Sequence, residues 1–146
     1  MNSLGTIILE TNVNPVLGGG TTPGWISGSP ASLADGASVD CIFDLGPRWN
    51  EIDQIQVSIF SSVATSLSSI QFYSGDSTVV NTNRRLKDRN SIGPSTVFAT
   101  VTTAQGPQQF GVMPMGRYFV ARMTNTAAGG AQGATSKVTL ALYPRI

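Results

Sequence analysis

The strongest constraint on the fold is an apolar/polar alternation of period two, repeated in short runs that turn-rich breaks separate. Ile55, Val57 and Ile59 alternate with Gln54, Gln56 and Ser58, the signature of a strand with one dry and one wet face. Ile70 and Phe72 repeat it. Phe119, Ala121 and Met123 alternate with Tyr118, Val120 and Arg122, and Val138, Leu140 and Leu142 alternate with Thr139, Ala141 and Tyr143. These four segments are expected to form the centre of the core. Strand-like runs are read at residues 5–10, 38–44, 52–61, 68–74, 96–103, 108–113, 117–125 and 136–144, with no long amphipathic helix competing. About eight short strands without intervening helices predict an all-β, antiparallel β-sandwich, with a jelly roll as the best-matching topology.

The breaks carry turn chemistry. Pro114-Met115-Gly116 lies between two strand-like runs and reads as a hairpin, because proline presets the first turn torsion and glycine supplies a positive one. Residues 125–135, NTAAGGAQGAT, read as a longer contact loop. Residues 11–36 differ in character: Gly18-Gly19-Gly20, Pro15, Pro23 and Pro30 interrupt any pattern, and such a composition cannot order itself alone. Val16, Leu17, Trp25 and Ile26 give the stretch apolar anchors. It is either a long loop packed on its own domain or an arm lying across a neighbouring subunit, with residues 5–10 adding to another chain's sheet edge. The expected organisation is an N-terminal strand and extended flexible arm over 1–36 and a β-sandwich domain over 37–146.

The chemistry is sparse. Among 146 residues there is no histidine, one cysteine and eight carboxylates, and charged residues make up 12%, about half the usual share. Acid/base catalysis and metal binding draw mostly on the missing types, so the chain reads as a binding or structural protein, not an enzyme, with no metal or cofactor. Its polarity comes from neutral side chains, which are cheaper to desolvate than ions when a partner covers them. A formal net charge of +1 supplies no chain-wide field for a polyanion, so nucleic acid is not an expected partner. Cys41 has no partner for a disulfide, which suits a reducing compartment. Met1–Glu10 lacks a basic stretch, and Ile7-Ile8-Leu9 is too short for a signal core or membrane span, so the chain is expected to be soluble and unexported.

The densest charge run is Arg84-Arg85-Leu86-Lys87-Asp88-Arg89. It is either a solvated loop or a contact for acidic groups across an interface, with Arg84, Arg85, Lys87 and Arg89 as candidates. If all these cations met phosphate, the salt slope would be roughly −3.6. Asp40 and Asp44 share a strand face but would stand about 13 Å apart, too far for two-carboxylate glycoside hydrolysis. Glu51 and Asp53 would lie about 6.6 Å apart if both sat in a strand, a spacing common in any β protein. Ser74-Gly75-Asp76-Ser77 reads as a plain turn with too few oxygens for calcium. Trp49 reads as a plug over the core edge, Trp25 as the better exposed aromatic, and Cys41 as a small core residue. Trp25 and Tyr73, with the other aromatics, raise a carbohydrate-binding alternative.

The stretches Phe98-Ala99-Thr100-Val101-Thr102-Thr103, Gly116-Arg117-Tyr118-Phe119-Val120-Ala121-Arg122-Met123-Thr124-Asn125 and Leu140-Ala141-Leu142-Tyr143-Pro144-Arg145-Ile146 resemble those of small all-β virion proteins of tailed bacteriophages, particularly capsid decoration or cement proteins. The resemblance spans about the last two-thirds of the chain and contains no diagnostic motif. It implies a jelly-roll-like sandwich that forms homotrimers on the capsid surface of the virion and bridges neighbouring copies of the major capsid protein. The alternatives are a phage tail or fibre component, or another sandwich module, that binds a glycan.

Overall fold

The computed structural model describes residues 5–31, 33, 34, 36–60, 68–78, 83–86, 96–98, 108–125, 131 and 136–145, with 68–70, 84–86, 96–98 and 108–110 described by backbone alone. Among these residues, ten strands form two antiparallel sheets that share one apolar core. In order across it, the four-stranded sheet holds β1 (Ile7–Glu10), β10 (Lys137–Pro144), β4 (Ile52–Phe60) and β8 (Gln108–Val112). The six-stranded sheet holds β2 (Gly24–Ser27), β3 (Ser38–Asp44), β9 (Tyr118–Asn125), β5 (Ser68–Gly75) and β6 (Arg84–Leu86), with β7 (Thr96–Phe98) also pairing β5. The all-β antiparallel sandwich expected from the alternation is the fold observed. A 3-10 turn, Trp49–Glu51, precedes β4.

Period-two patterning builds the interior directly. Ile55, Val57, Ile59, Val138, Leu140 and Leu142 project inward from the four-stranded sheet, and Cys41, Phe43, Phe72, Phe119, Ala121 and Met123 from the other, all buried. Fully burying one such large side chain stabilises by roughly 1.5–3 kcal/mol. Phe119 sits at the middle, stacked on Phe72 at 5.8 Å and tilted against Phe43 at 6.5 Å between ring centroids. The alternation slips once in β4. There Tyr143 faces Gln54 but Pro144 faces Ile52, which leaves Asp53 as an exposed bulge and lets both Ile52 and Ile55 point inward.

The chain changes sheets repeatedly, and this corrects the hairpin read at Pro114-Met115-Gly116. β8 pairs with β4, whereas β9 pairs with β3 and β5, so the turn is a corner between sheets. Turn torsions reverse the chain but do not choose the partner strand. The corner packs on the end of β5: the Met115 N–H donates to Ser74 Oγ at 2.9 Å, and a Cβ on Gly116 would meet the Gly75 backbone at 2.4 Å. Two strands were not anticipated, β2 and β6, both short and at sheet edges. β6 also takes Arg84 and Arg85 out of the loop class and into a strand.

The described part of residues 5–36 lies on its own sandwich. β1 borders the four-stranded sheet and β2 the six-stranded one, Leu33 enters the core, and the Val16 N–H donates to the Trp25 carbonyl at 2.8 Å. Asn125, fully buried, donates from its side chain to the carbonyls of Leu33 and Ala34, both at 3.4 Å. At Gly28 (φ 84°) the chain crosses β3 so closely that a Cβ would stand 1.8 Å from the Asp40 carbonyl oxygen.

Candidate partner-binding surfaces

The outer face of the six-stranded sheet carries two carboxylates from β3, and their surroundings differ. Asp44 is fully buried, because residues 17–20 fold over it. Its carboxylate accepts the Gly19 N–H at 2.9 Å, the Gly46 N–H at 2.8 Å, and two bonds from Arg117 at 2.8 and 3.1 Å. Arg117 also donates to the Gly20 carbonyl, so one ion pair ties a glycine-rich strap, β3 and the start of β9 together. Burial alone would push the Asp44 carboxyl up. The hydrogen bonds from Arg117, Gly46 and Gly19 and the Arg117 charge outweigh it and hold the carboxyl below its ordinary range. Beneath the strap, a Cβ on Gly18 would meet Ile26 Cδ1 at 3.2 Å and the Tyr118 ring at 3.5 Å.

Asp40 lies further along the same face and stays about one-third exposed. Arg122, opposite it on β9, grips it with two bonds of 2.7 and 3.1 Å and lies over the Tyr73 ring at 5.5 Å from the centroid. The Tyr73 hydroxyl donates to Gln71 at 2.7 Å. A row of Ile42, Val120 and Tyr73 runs beside this polar platform, with Val120 fully buried and the other two half-buried. On the inner face, burial and the nearby Asp40 charge push the Cys41 thiol up to about 12, so it stays protonated and inert at neutral pH.

The four-stranded sheet presents a different outer surface. Ile8, Ala141, Gln56 and Gly111 stand in one register row, with Thr139 beside Ser58 and Tyr143 beside Gln54 in the neighbouring rows. Tyr143 donates to Gln56 at 3.2 Å, and Glu10 and Lys137 neutralise each other at 2.8 Å. Among the described residues, the side chains on this face are otherwise neutral, apart from the exposed Asp53 at the β4 bulge. Exposed apolar side chains punctuate its edges and the adjoining turns: Ile8 is 60% exposed, Val13 50%, Met113 45% and Met115 43%, while Leu17, 88% exposed, stands on the strap over the other sheet.

The structure separates the residues that the sequence singled out. Val16, Leu17, Trp25 and Ile26 lie at the β2 edge of the six-stranded sheet, whereas Arg84 and Arg85 lie on β6 at the opposite edge. Three strands intervene, a span of roughly 19 Å at the usual strand spacing. Val16 is half-buried over Gly24, Ile26 is half-buried beneath Gly18, and Leu17 projects into solvent. Trp25, read as the better exposed aromatic, is half-buried against the core with its indole N–H donating to the Gly28 carbonyl at 2.8 Å. Trp49 packs against the core as expected. Lys87 and Arg89 lie outside the described residues, as does all of the 125–135 loop except its first residue and Ala131.

The carboxylates resolve in the same way. Glu51 sits in the 3-10 turn, paired with Arg48, while Asp53 is the bulge residue, so the two do not share a strand. Asp76 is exposed in a turn that Asn83 closes by bonding the Ser77 backbone twice. Among the described residues, no three His, Cys, Asp or Glu side chains gather to hold a metal, and no helix is long and apolar enough to cross a membrane. Sequence reasoning missed the Asp44 and Arg117 clamp and the platform of Asp40, Arg122 and Tyr73, because each joins residues far apart in the chain. It also missed Ile8, Val13, Met113 and Met115 as exposed apolar side chains; the period-two pattern could have placed Ile8 outward opposite Leu9. No protein-family model, curated protein or solved structure matches the chain.

Proposed function

We propose that this chain is a structural virion protein that sits on the capsid surface of a tailed bacteriophage as a homo-oligomer, a trimer in this reading, and bridges copies of the major capsid protein. The observation that carries the proposal is the outer face of the four-stranded sheet, whose described side chains are mostly neutral and which exposed Ile8, Met113 and Met115 border. Covering such a face costs little desolvation, since its charges are few and Glu10 already meets Lys137. The strand order supports the jelly-roll reading: β1, β10, β4, β8 oppose β3, β9, β5, β6, and successive long strands alternate between the sheets. A protein that binds the assembled shell and not its free subunits stabilises the shell by mass action, and several contacts per oligomer add avidity.

The second reading, glycan binding, draws on Tyr73 beside Gln71 and Asp40. Arg122 already covers one face of that ring, and Trp25 leans on the core, which leaves little aromatic surface for stacking on a sugar.

The test is to size the native protein and mix it with purified empty capsids. Co-sedimentation with expanded shells, and shells that withstand heating better when coated, are the expected results. Binding to an immobilised glycan that Tyr73→Ala abolishes, with no capsid binding, overturns the proposal in favour of the second reading.

A further inference from the structure

We propose that β1 is exchanged between copies of this chain, each copy's Ile7–Glu10 completing the four-stranded sheet of a neighbour; this rests on the reading of the protein as a homo-oligomer. The contacts that hold β1 are concentrated on β10. Ile7, Ile8, Leu9 and Glu10 pair with Leu142, Ala141, Leu140 and Thr139. Glu10 meets Lys137 at 2.8 Å, and Thr11 exchanges two bonds with Val138, its N–H donating at 3.0 Å and its hydroxyl accepting at 3.1 Å. Asn12 continues the series by donating to the Ser136 carbonyl at 3.4 Å. The strand pairs, the ion pair and the Thr11 bonds can be remade against another copy's β10, so exchange is opposed chiefly by the entropy of association and by the loss of the Asn12 contact.

On its other side β1 is poorly matched to its own chain. A cavity of about 270 Å³ lies between Ile8, Leu9 and Glu10 on one side and Val13, Val16 and Trp25 on the other. The link between strand and body is short and bent. Asn12 and Asn14 have φ of 70° and 41°, and Asn14 precedes Pro15, where the proline ring already restricts the backbone toward extended conformations. Opening Asn12 to Pro15 into an extended strand relieves both left-handed residues and lets these four residues span up to about 14 Å between β1 and the body. The contact from the Ser29 hydroxyl to Asn12 is broken or remade in the process. Val16 marks where the body begins, because its N–H is bonded to Trp25.

Cysteines introduced as Ile8→Cys with Ala141→Cys, opposite each other in register, test the exchange in the full chain. Cys41 is fully buried and does not compete. After oxidation of the native oligomer, a non-reducing denaturing gel should show bands at multiples of the chain mass. An oligomer that yields closed single chains overturns the exchange and leaves the homo-oligomer reading intact, whereas a protein that is monomeric throughout overturns both. A second measurement does not depend on the disulfide. Glu10→Lys and Lys137→Glu chains should each assemble more weakly alone and recover in part on mixing, because exchange then restores opposite charges at two of a trimer's three junctions between chains. No recovery on mixing overturns the exchange.

Discussion

Asp40 and Asp44 leave β3 on the same face, and each is held by an arginine on or just before β9 through two hydrogen bonds. Yet the Asp44 side chain is wholly buried and that of Asp40 about one-third exposed. Strand, spacing and partner type are nearly the same at both places. What differs is the segment that crosses above: the Gly18 to Gly20 strap closes over Asp44, and its Gly19 amide and Gly20 carbonyl convert a surface ion pair into a buried junction of three segments. The lesson is that an ion pair's structural weight is set by what covers it, since exposed pairs contribute little and enclosed ones leave uncompensated charge when broken.

The comparison can be broken most forcefully from the Asp40 end by a backbone change. Gly28→Ala would push a methyl into the Asp40 carbonyl at a position with φ of 84°, and a loss of about 3 kcal/mol is expected in urea unfolding. Next comes Asp44→Ala. It strands the Arg117 guanidinium and the Gly19 and Gly46 amides, and should cost about 2–3 kcal/mol, below the full buried-pair value because the Arg117 side chain remains 22% exposed.

Acid should sharpen the contrast without mutation. The folded Asp44 carboxyl is held below its unfolded value, so its stabilisation is complete above the unfolded carboxylate range, about pH 4, and fades as pH falls through the folded value. Protection of the Gly19 and Gly46 amides, measured against their intrinsic exchange at each pH, is expected to fall in that window before protection in β4 and β10 does. Simultaneous loss of protection in all four places would show that the clamp is not a separate unit. The smallest effect is expected for Asp40→Asn, under about 1 kcal/mol in the same unfolding assay, since water already reaches that pair.

Much of the sandwich was legible because burial on one side of a strand writes itself into alternate residues. Val57, Phe119 and Leu140 are inward as their spacing required, and β3, β4, β9 and β10 match the expected runs to within a residue or so. β2 escaped notice because Gly24-Trp25-Ile26-Ser27 is short and sits among prolines and glycines, and its strand character comes from pairing with β3. β6 was obscured by charge: Arg84-Arg85-Leu86 has no alternation, and an edge strand needs none. The candidate contacts fared less evenly. Leu17 could be picked out as an apolar residue among glycines, but nothing nearby in the chain announces that Asp44 awaits Arg117, 73 residues away.

By itself, then, the order of residues determined the all-β class, the inward faces and the scarcity of ionisable groups, because these follow from local periodicity and composition. Only the tertiary structure decided that Pro114 to Gly116 turns a corner between sheets, that the two anchor clusters lie at opposite edges, and that one of two similar aspartates is sealed from water. Each of those outcomes depends on which distant segments meet, and pairing between strands is chosen by the whole core, beyond the reach of any short stretch.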